Sequence, residues 1–471
     1  MRIYLDKQIF SHLFKQEKPE YITLLKKLYE NKTNLLFCYS HAHLLDLKND
    51  KTQIKYRELE FIETLVNDNY LSYHALDKNT SCYLAKPSEA FADVDVQDEP
   101  IDMSKIFDFD NSLLSPQERE QFTAAKDVLA NLKFDFNIFG QSVLEEEVSN
   151  PLSKILPTQT EPMSILDMSE HMLKVLKSME NDPSVYKGLR SVSDKYLNNG
   201  KFTIEFDSID FNEELKDSPL QKTFIEYVTS NLNPNGDKKI TNYDFFTNAY
   251  LTLDILGISK DSSKTVKFTN MLNDSLHSYY AAYCDILVSD DVAFLKKTKA
   301  LYKLLNIETQ VLHIDEFITA FTFFIDTQES SKEVFFNLLI NDLRSGLIYN
   351  TKKSLRFNRE TLTIKSKHNY LGHFNRIDNM VEDSKSYAYL YREVSNYSYF
   401  SFFREYQIIV NNAVRLFGID IDFKGEFDWE VEIKEINGGK WAGRFWDFES
   451  FTVLIEINKG TNALGLLIAV K

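Results

Sequence analysis

Two short apolar runs near the start of the chain, Ile3-Tyr4-Leu5 and Asn34 to Tyr39, are each followed by helical spacing of apolar residues. The helical stretches lie around Tyr21 to Tyr29, from His41 onward, and over Tyr56 to Val66. Short strands alternating with helices imply a parallel sheet covered by helices. Two strands cannot finish such a sheet, because their open edges need further partners. Alternation returns only at 243–325, with helices over Tyr243 to Leu256 and Val266 to Tyr283, then the run Asp285-Ile286-Leu287-Val288. A lysine-rich amphipathic helix, Val292 to Leu305, and a strand, Thr309 to His313, complete it. The expected first domain is therefore discontinuous, residues 1–75 joined with 241–325.

Between these halves, residues 76–240 read as a mainly helical insertion. It opens with an acidic stretch from Ser81 to Asn111 and carries helical periodicity over Pro116 to Leu132, Met163 to Met179 and Pro183 to Leu197. Beyond residue 330 a helical region is expected, then β-rich ends at Trp429 to Ile436, Phe451 to Asn458 and Leu464 to Val470, with Asn437-Gly438 as a turn. Residues 326–471 are thus expected to form an α+β domain. With Gly 14 and Pro 10 in 471 residues, the chain has few turn-makers, and 43% hydrophobic residues supply ample core.

A net charge of −16 excludes a surface that coats nucleic acid through counterion release, so any such contact has to be local. Lys296, Lys297, Lys299 and Lys303, on the helix after Asp291, are the best-placed cations for a phosphate backbone; the competing reading is a solvated helix face. Cys38, Cys82 and Cys284 have no metal-ligand spacing and fit a reducing compartment. No run of apolar residues is long enough for a membrane span. A soluble, cytoplasmic protein with no membrane partner is expected.

Two-metal phosphodiester cleavage requires carboxylates converging on one small volume, and in parallel α/β sheets such groups gather at the carboxyl ends of strands. Asp6 ends the first apolar run, Asp46 lies in the helix after the second, Asp274 lies in the helix leading to the third, and Asp291 follows the third directly. Each has a structural alternative: Asp6 as a helix cap, Asp46 and Asp274 as surface acids, Asp290 and Asp291 as complements to a helix dipole. No Gly-x-Ser-x-Gly elbow and no phosphate-cradling glycine loop is present. The run Trp441-Ala442-Gly443-Arg444-Phe445-Trp446 offers base stacking or a β-sheet core, and the core is the expectation.

The stretches Ile3 to Asp6, Tyr39 to Leu47, Asn273 to Asp285 and Leu287 to Leu295 together resemble the PIN-domain nucleases and their PIN-like relatives. That resemblance implies an α/β/α sandwich with a parallel sheet and Mg2+- or Mn2+-dependent cleavage of RNA, or sometimes DNA. It also implies that Asp6, Asp46, Asp274 and Asp291 are the catalytic, metal-binding acids. Ser289 matches the family's hydroxyl residue at the third strand end. The family's acid before the Ala-Ala pair falls where His277 stands, so Asp274, one helical turn earlier, takes its place, with Asp285 the alternative. Ser289, His277, Lys296 and Lys297 are the expected substrate contacts. The expected activity is that of an endoribonuclease, with the insertion and carboxyl-terminal region serving a regulatory protein or a second copy, as in a regulated toxin or antiviral effector. A catalytically inactive PIN-like scaffold and a DNA-directed nuclease are the alternatives.

Overall fold

A computed structural model of the chain describes residues 1–96, 133–134, 163–164, 171, 175, 188, 190, 208–237, 239–259, 268–326, 331–353, 360–382, 385–393, 397–458 and 461–471. The chain divides into two compact units, residues 1–91 with 277–471, and residues 92–276.

The first unit contains a six-stranded sheet in which β1 (Arg2–Leu5) lies between β2 (Leu36–Ser40) and β5 (Ile286–Ser289). β3 (Asn69–His74) and β4 (Asn79–Leu84) extend it on one side and β6 (Gln310–His313) on the other. Five strands run parallel, and β4 pairs antiparallel with β3 at the edge. Tyr4 is registered against both Cys38 and Leu287, so the strand pairing itself joins the distant halves of the sequence. Every residue of β1, β2 and β5 is buried; strands buried on alternating sides are covered on both faces, as a parallel sheet requires. The helices of this half are α1 (Lys7–Lys15), α2 (Pro19–Asn31), α3 (His41–Asn49), α4 (Ile54–Val66) and α5 (Pro87–Val96). Ser40 caps α3, with its hydroxyl accepting from the Ala42 amide at 3.2 Å. The sheet thus continues past residue 75 through the β3–β4 hairpin, whose polar alternation hides it from a search for apolar runs.

Within the second unit, α6 (Phe224–Leu232) opens on a reciprocal cap between Thr223 and Glu226, and Thr241 caps α7 (Asn242–Ile255). The fully buried Asp254 receives Arg190 at 3.4 Å. The acidic segment beyond residue 96 and most of the helices expected over 116–197 lie outside the described residues. Helix α8 (Phe268–Ala281) carries the chain back toward β5.

After β5 come α9 (Val292–Leu304), β6, α10 (Ile314–Asp326) and α11 (Lys332–Ser345). Strands β7 (Leu347–Lys353), β8 (Glu360–Tyr370), β9 (Phe374–Glu382) and β10 (Lys385–Tyr391) then form an antiparallel meander that sequence reading placed in a helical region. Polar residues interrupt these strands, and several of them are buried, Thr361, Thr363, Arg376 and Asp378 among them, so no apolar run marks the strands in the sequence. The second misplacement is Trp429 to Ile436, expected as strand and found within helix α13 (Trp429–Asn437). Asp428 caps it by accepting from the Glu430 and Val431 amides. In Trp-Glu-Val-Glu-Ile-Lys-Glu-Ile the apolar alternation fits period 2, but Trp429, Ile433 and Ile436 also share one helical face and pack on the core. β11 (Arg444–Asp447), β12 (Phe451–Asn458) and β13 (Ala463–Val470) complete a seven-stranded sheet in the order β11-β12-β13-β10-β9-β8-β7. Helix α12 (Phe403–Phe417) buries Tyr406, Ile409, Val410, Ala413 and Phe417 against it. At Gly465 any side chain would run into the Tyr389 ring, so only glycine fits.

The two sheets of the first unit are locked by Arg2, which is fully buried. Its Nε and Nη2 donate to the two oxygens of Glu405, each at 2.7 Å, and its other donors reach Ser398, the Tyr283 carbonyl and the Phe400 carbonyl. The Phe402 ring lies 3.6 Å from the guanidinium carbon. Asp285, at the amino end of β5, pairs with Arg392 and accepts from the Arg2 amide at 2.7 Å. Asp285 therefore serves the junction, at the opposite end of the sheet from Asp6, and does not substitute for the missing acid. Among the described residues no helix is long and apolar enough to cross a membrane.

Burial pushes the Glu405 carboxyl up, but Arg2 and His373 outweigh it and hold the group well below the usual carboxylate range. A depressed folded value makes the ionised pair stabilising above about pH 4.5. We expect stability in urea to fall as pH drops through and below that value. Glu405→Gln, which leaves Arg2 buried with its charge unpaired, should cost about 3–5 kcal/mol and flatten the acid limb of the pH profile.

Candidate metal centre

In the order β3-β2-β1-β5-β6 the chain leaves β1 toward one side of the sheet and reaches β5 on the other, so a crevice opens at the carboxyl ends of β1 and β5. Asp6 follows β1 directly, and its amide donates to the Val288 carbonyl at 2.9 Å, which fixes it at that crevice. Ser289, the last residue of β5, donates from Oγ to Asp6 Oδ2 at 2.6 Å and accepts from the Asp291 amide at 3.1 Å.

The group that converges here is Asp6, Asp46 and His277, whose ligand atoms all lie within 4.8 Å of one another. Asp46 comes from α3 and His277 from α8. His277 Nε2 is 3.0 Å from Asp46 Oδ2, and its Nδ1 is 4.0 Å from Asp6 Oδ1. The side chain of His277 is 3% exposed, that of Asp6 15% and that of Asp46 31%, so the cluster is sunk on one side and open on the other. A carboxylate only accepts, so in the neutral ring Nε2 donates to Asp46 and Nδ1 accepts from the Tyr4 hydroxyl at 2.8 Å. Ser40 Oγ lies 2.6 Å from the Tyr4 hydroxyl and supplies its hydrogen. His43 packs beside this group. It is fully buried, donates from Nε2 to the Leu5 carbonyl at 2.8 Å and accepts at Nδ1 from the Ser40 amide at 3.0 Å. Burial drives its pKa well below that of a free imidazole, with His277 and Lys7 adding to the fall.

This donor set can take a divalent ion. The 3.0 Å between Nε2 and Oδ2 equals the spacing of adjacent ligands each about 2.1 Å from one centre in octahedral geometry. Replacing the Nε2 proton requires Nδ1 to keep one, and the neighbouring hydroxyls allow it. Nδ1–H then donates to Tyr4, Tyr4 to Ser40 Oγ, and Ser40 Oγ to His43 Nδ1 at 3.3 Å. One imidazole with two carboxylates suits Mn2+ or a similar transition ion better than Mg2+, which prefers oxygen alone.

The sequence-predicted residues divide accordingly. Asp6 and Asp46 come together, joined by His277 rather than by Asp274. Asp274 lies three residues earlier on α8, in the second unit, and is outside the group. Asp291 is also outside it and caps α9, accepting from the Phe294 amide at 2.9 Å. Ser289 positions Asp6. Lys297 is corrected as a substrate contact, because it is 3% exposed and turned into the buried face of α9 with Phe294, Ala300 and Leu301. Lys296 is half-buried and Lys303 exposed. Asp290, read as a dipole complement, instead pairs with His12 at 3.2 Å and His313 at 2.9 Å. His12 and His313 carry no motif; only the strand-end position of His313 marks it in the sequence. Tyr4 is likewise invisible there as anything but a strand residue.

Burial raises the Asp6 carboxyl above its usual range; His277 and the Ser289 hydroxyl oppose the rise, and Asp46 adds to it. No protein-family model matches the chain, and comparison with characterised proteins and with solved structures finds no significant match.

A raised folded value means that ionised Asp6 works against folding at neutral pH, and that this penalty fades as pH falls toward the carboxylate range. Asp6→Asn is therefore expected to stabilise the metal-free protein at pH 7 by about 1 kcal/mol, with the gain shrinking near pH 4. Thermal melts of both proteins in EDTA across that range measure it.

Proposed function

We propose that this protein is a divalent-cation-dependent nuclease whose centre is built from Asp6, Asp46 and His277, with RNA as substrate. The observation that carries the reading is the convergence of these groups, from three separate segments, in the crevice at the carboxyl ends of β1 and β5. The resemblance of the same segments to PIN-like nucleases supports it, and the RNA preference follows from that resemblance.

Asp6, Asp46 and His277 would hold the ion. A bound Mn2+ or Mg2+ lowers the pKa of a coordinated water and stabilises the charge that develops on a phosphoryl group. Ser289 keeps the Asp6 carboxylate aimed into the crevice through its 2.6 Å hydrogen bond. Tyr4 and Ser40 set the tautomer of His277, so that a ring nitrogen faces Asp46. Two carboxylates close together repel, and a cation relieves that repulsion. The acidic surface works against polyanion binding, so substrate contacts must be confined to the crevice rim, where Lys296 remains a candidate. In this reading the second unit and the seven-stranded sheet serve regulation or a protein partner.

Binding and cleavage test the proposal together. Millimolar Mn2+ should raise the melting temperature of the wild type by several degrees, and Asp6→Asn and Asp46→Asn should abolish that rise. The same variants should lose at least about 100-fold in cleavage of a mixed RNA substrate, as should the wild type in EDTA. Parallel DNA substrates report the DNA-directed alternative. A wild type that neither binds Mn2+ nor differs from Asp6→Asn on any substrate would leave only the scaffold.

A further inference from the structure

A second site lies in the first unit, where β4 approaches α12 and α13, and it shares no residue with the acid cluster. It is a cavity of about 750 Å³, within the size range of small-molecule sites. Tyr399, Phe400, Phe403, Tyr406 and Trp441 supply its aromatic surface. The indole N–H of Trp441 is committed to Glu432 at 2.8 Å, so the tryptophan offers the cavity only its ring. Tyr399 is 63% exposed, a large aromatic group left in solvent at the rim.

The described polar part of the lining is neutral. Asn79, Asn437 and Asn462 contribute amides with no side-chain partner among the described residues. Ser401 Oγ accepts from the Leu464 amide at 3.0 Å and keeps its own hydrogen to donate. Thr461 Oγ1 is shielded from solvent and has no hydrogen-bond partner among the described residues. Among the described lining residues there is no Asp, Glu, Lys, Arg or His. The nearby Arg444 is no exception: it is buried away from the cavity in an ion cluster with Asp420 and Glu432.

A site of this kind selects by shape and hydrogen bonding. A charged ligand would lose water without finding a counter-charge among the described lining residues, whereas a planar heterocycle stacks on the rings. Asparagine amides match the paired donor and acceptor on the Hoogsteen edge of adenine. We propose that this cavity binds an uncharged nucleobase, adenine foremost, stacked on Tyr399 and Trp441 and read by the asparagine amides. The base comes either from a free nucleoside or from an unpaired position in a strand.

Calorimetric titration of the full chain in EDTA with adenosine, AMP and hexa-adenylate tests this. Adenosine should bind saturably, and AMP within about threefold of it, since the phosphate finds no partner. Tyr399→Ala and Asn437→Ala, both at exposed positions, should weaken adenosine binding at least about tenfold without moving the melting temperature, while Asp6→Asn leaves the adenosine affinity unchanged. Hexa-adenylate binding more than about tenfold tighter than adenosine, and still dependent on Tyr399, assigns the base to a strand; similar affinities assign it to a free nucleoside. The proposal is overturned if neither adenosine nor hexa-adenylate saturates, if AMP binds more than about tenfold tighter than adenosine, or if both cavity variants bind as the wild type does.

Discussion

Arg2 carries a full positive charge into a place without water, and the junction of the first unit is arranged around that fact. Such a charge is tolerated only where geometry and hydrogen bonds repay its lost hydration. Here Glu405 supplies a two-pronged carboxylate, Ser398 and two carbonyls take the remaining donors, and Phe402 covers one face of the guanidinium. Because Arg2 belongs to the central strand of one sheet and Glu405 to a helix packed on the other, the pair couples β1 to the carboxyl-terminal half. Asp285 with Arg392 and Asp68 with Arg404 repeat the device beside it. Residues after 326 are thus part of the same compact unit as the parallel sheet.

The opposite end of β1 has the reverse character. At its amino end opposite charges neutralise one another, whereas at its carboxyl end Asp6 and Asp46 sit close together with a single imidazole between them. Burial raises the cost of that arrangement, as the upward displacement of the Asp6 pKa records. Groups held where they destabilise the fold are a common mark of functional sites. One short strand therefore carries a stabilising cation at one end and the start of an electronegative crevice at the other.

Much of this architecture is legible in the sequence because parallel strands buried on both faces read as unbroken apolar runs. Ile3 to Leu5, Leu36 to Tyr39 and Ile286 to Val288 are of that kind, and with them come Asp6 at a strand end and Asp46 in the helix that follows a strand. The antiparallel strands are less visible. β8 and β9 carry buried polar residues such as Thr363 and Asp378, which break up any apolar run, and Trp429–Asn437 satisfies both periodicities until Asp428 decides for a helix. The site residues missed for a different reason. His277 stands where an acid was sought, and an imidazole can fill that ligand position. Asp291 precedes a helix, and its carboxylate is taken by the cap. Lys297 sits on a helix whose buried face is wider than its apolar residues alone indicate.

The pairing of β1 with β5 also has a consequence during synthesis. At roughly 5–20 residues per second, a ribosome needs on the order of tens of seconds to travel from β1 to β5. Through that interval β1 lacks one of its two neighbours, and His277 and Ser289 have not yet been made. A nascent chain therefore holds Asp6 and Asp46 without the imidazole between them, and the crevice closes only after the whole intervening unit has emerged. A strand order that divides a small sheet across a long chain thus acts as a timer, delaying assembly of the acidic pocket until most of the polypeptide exists.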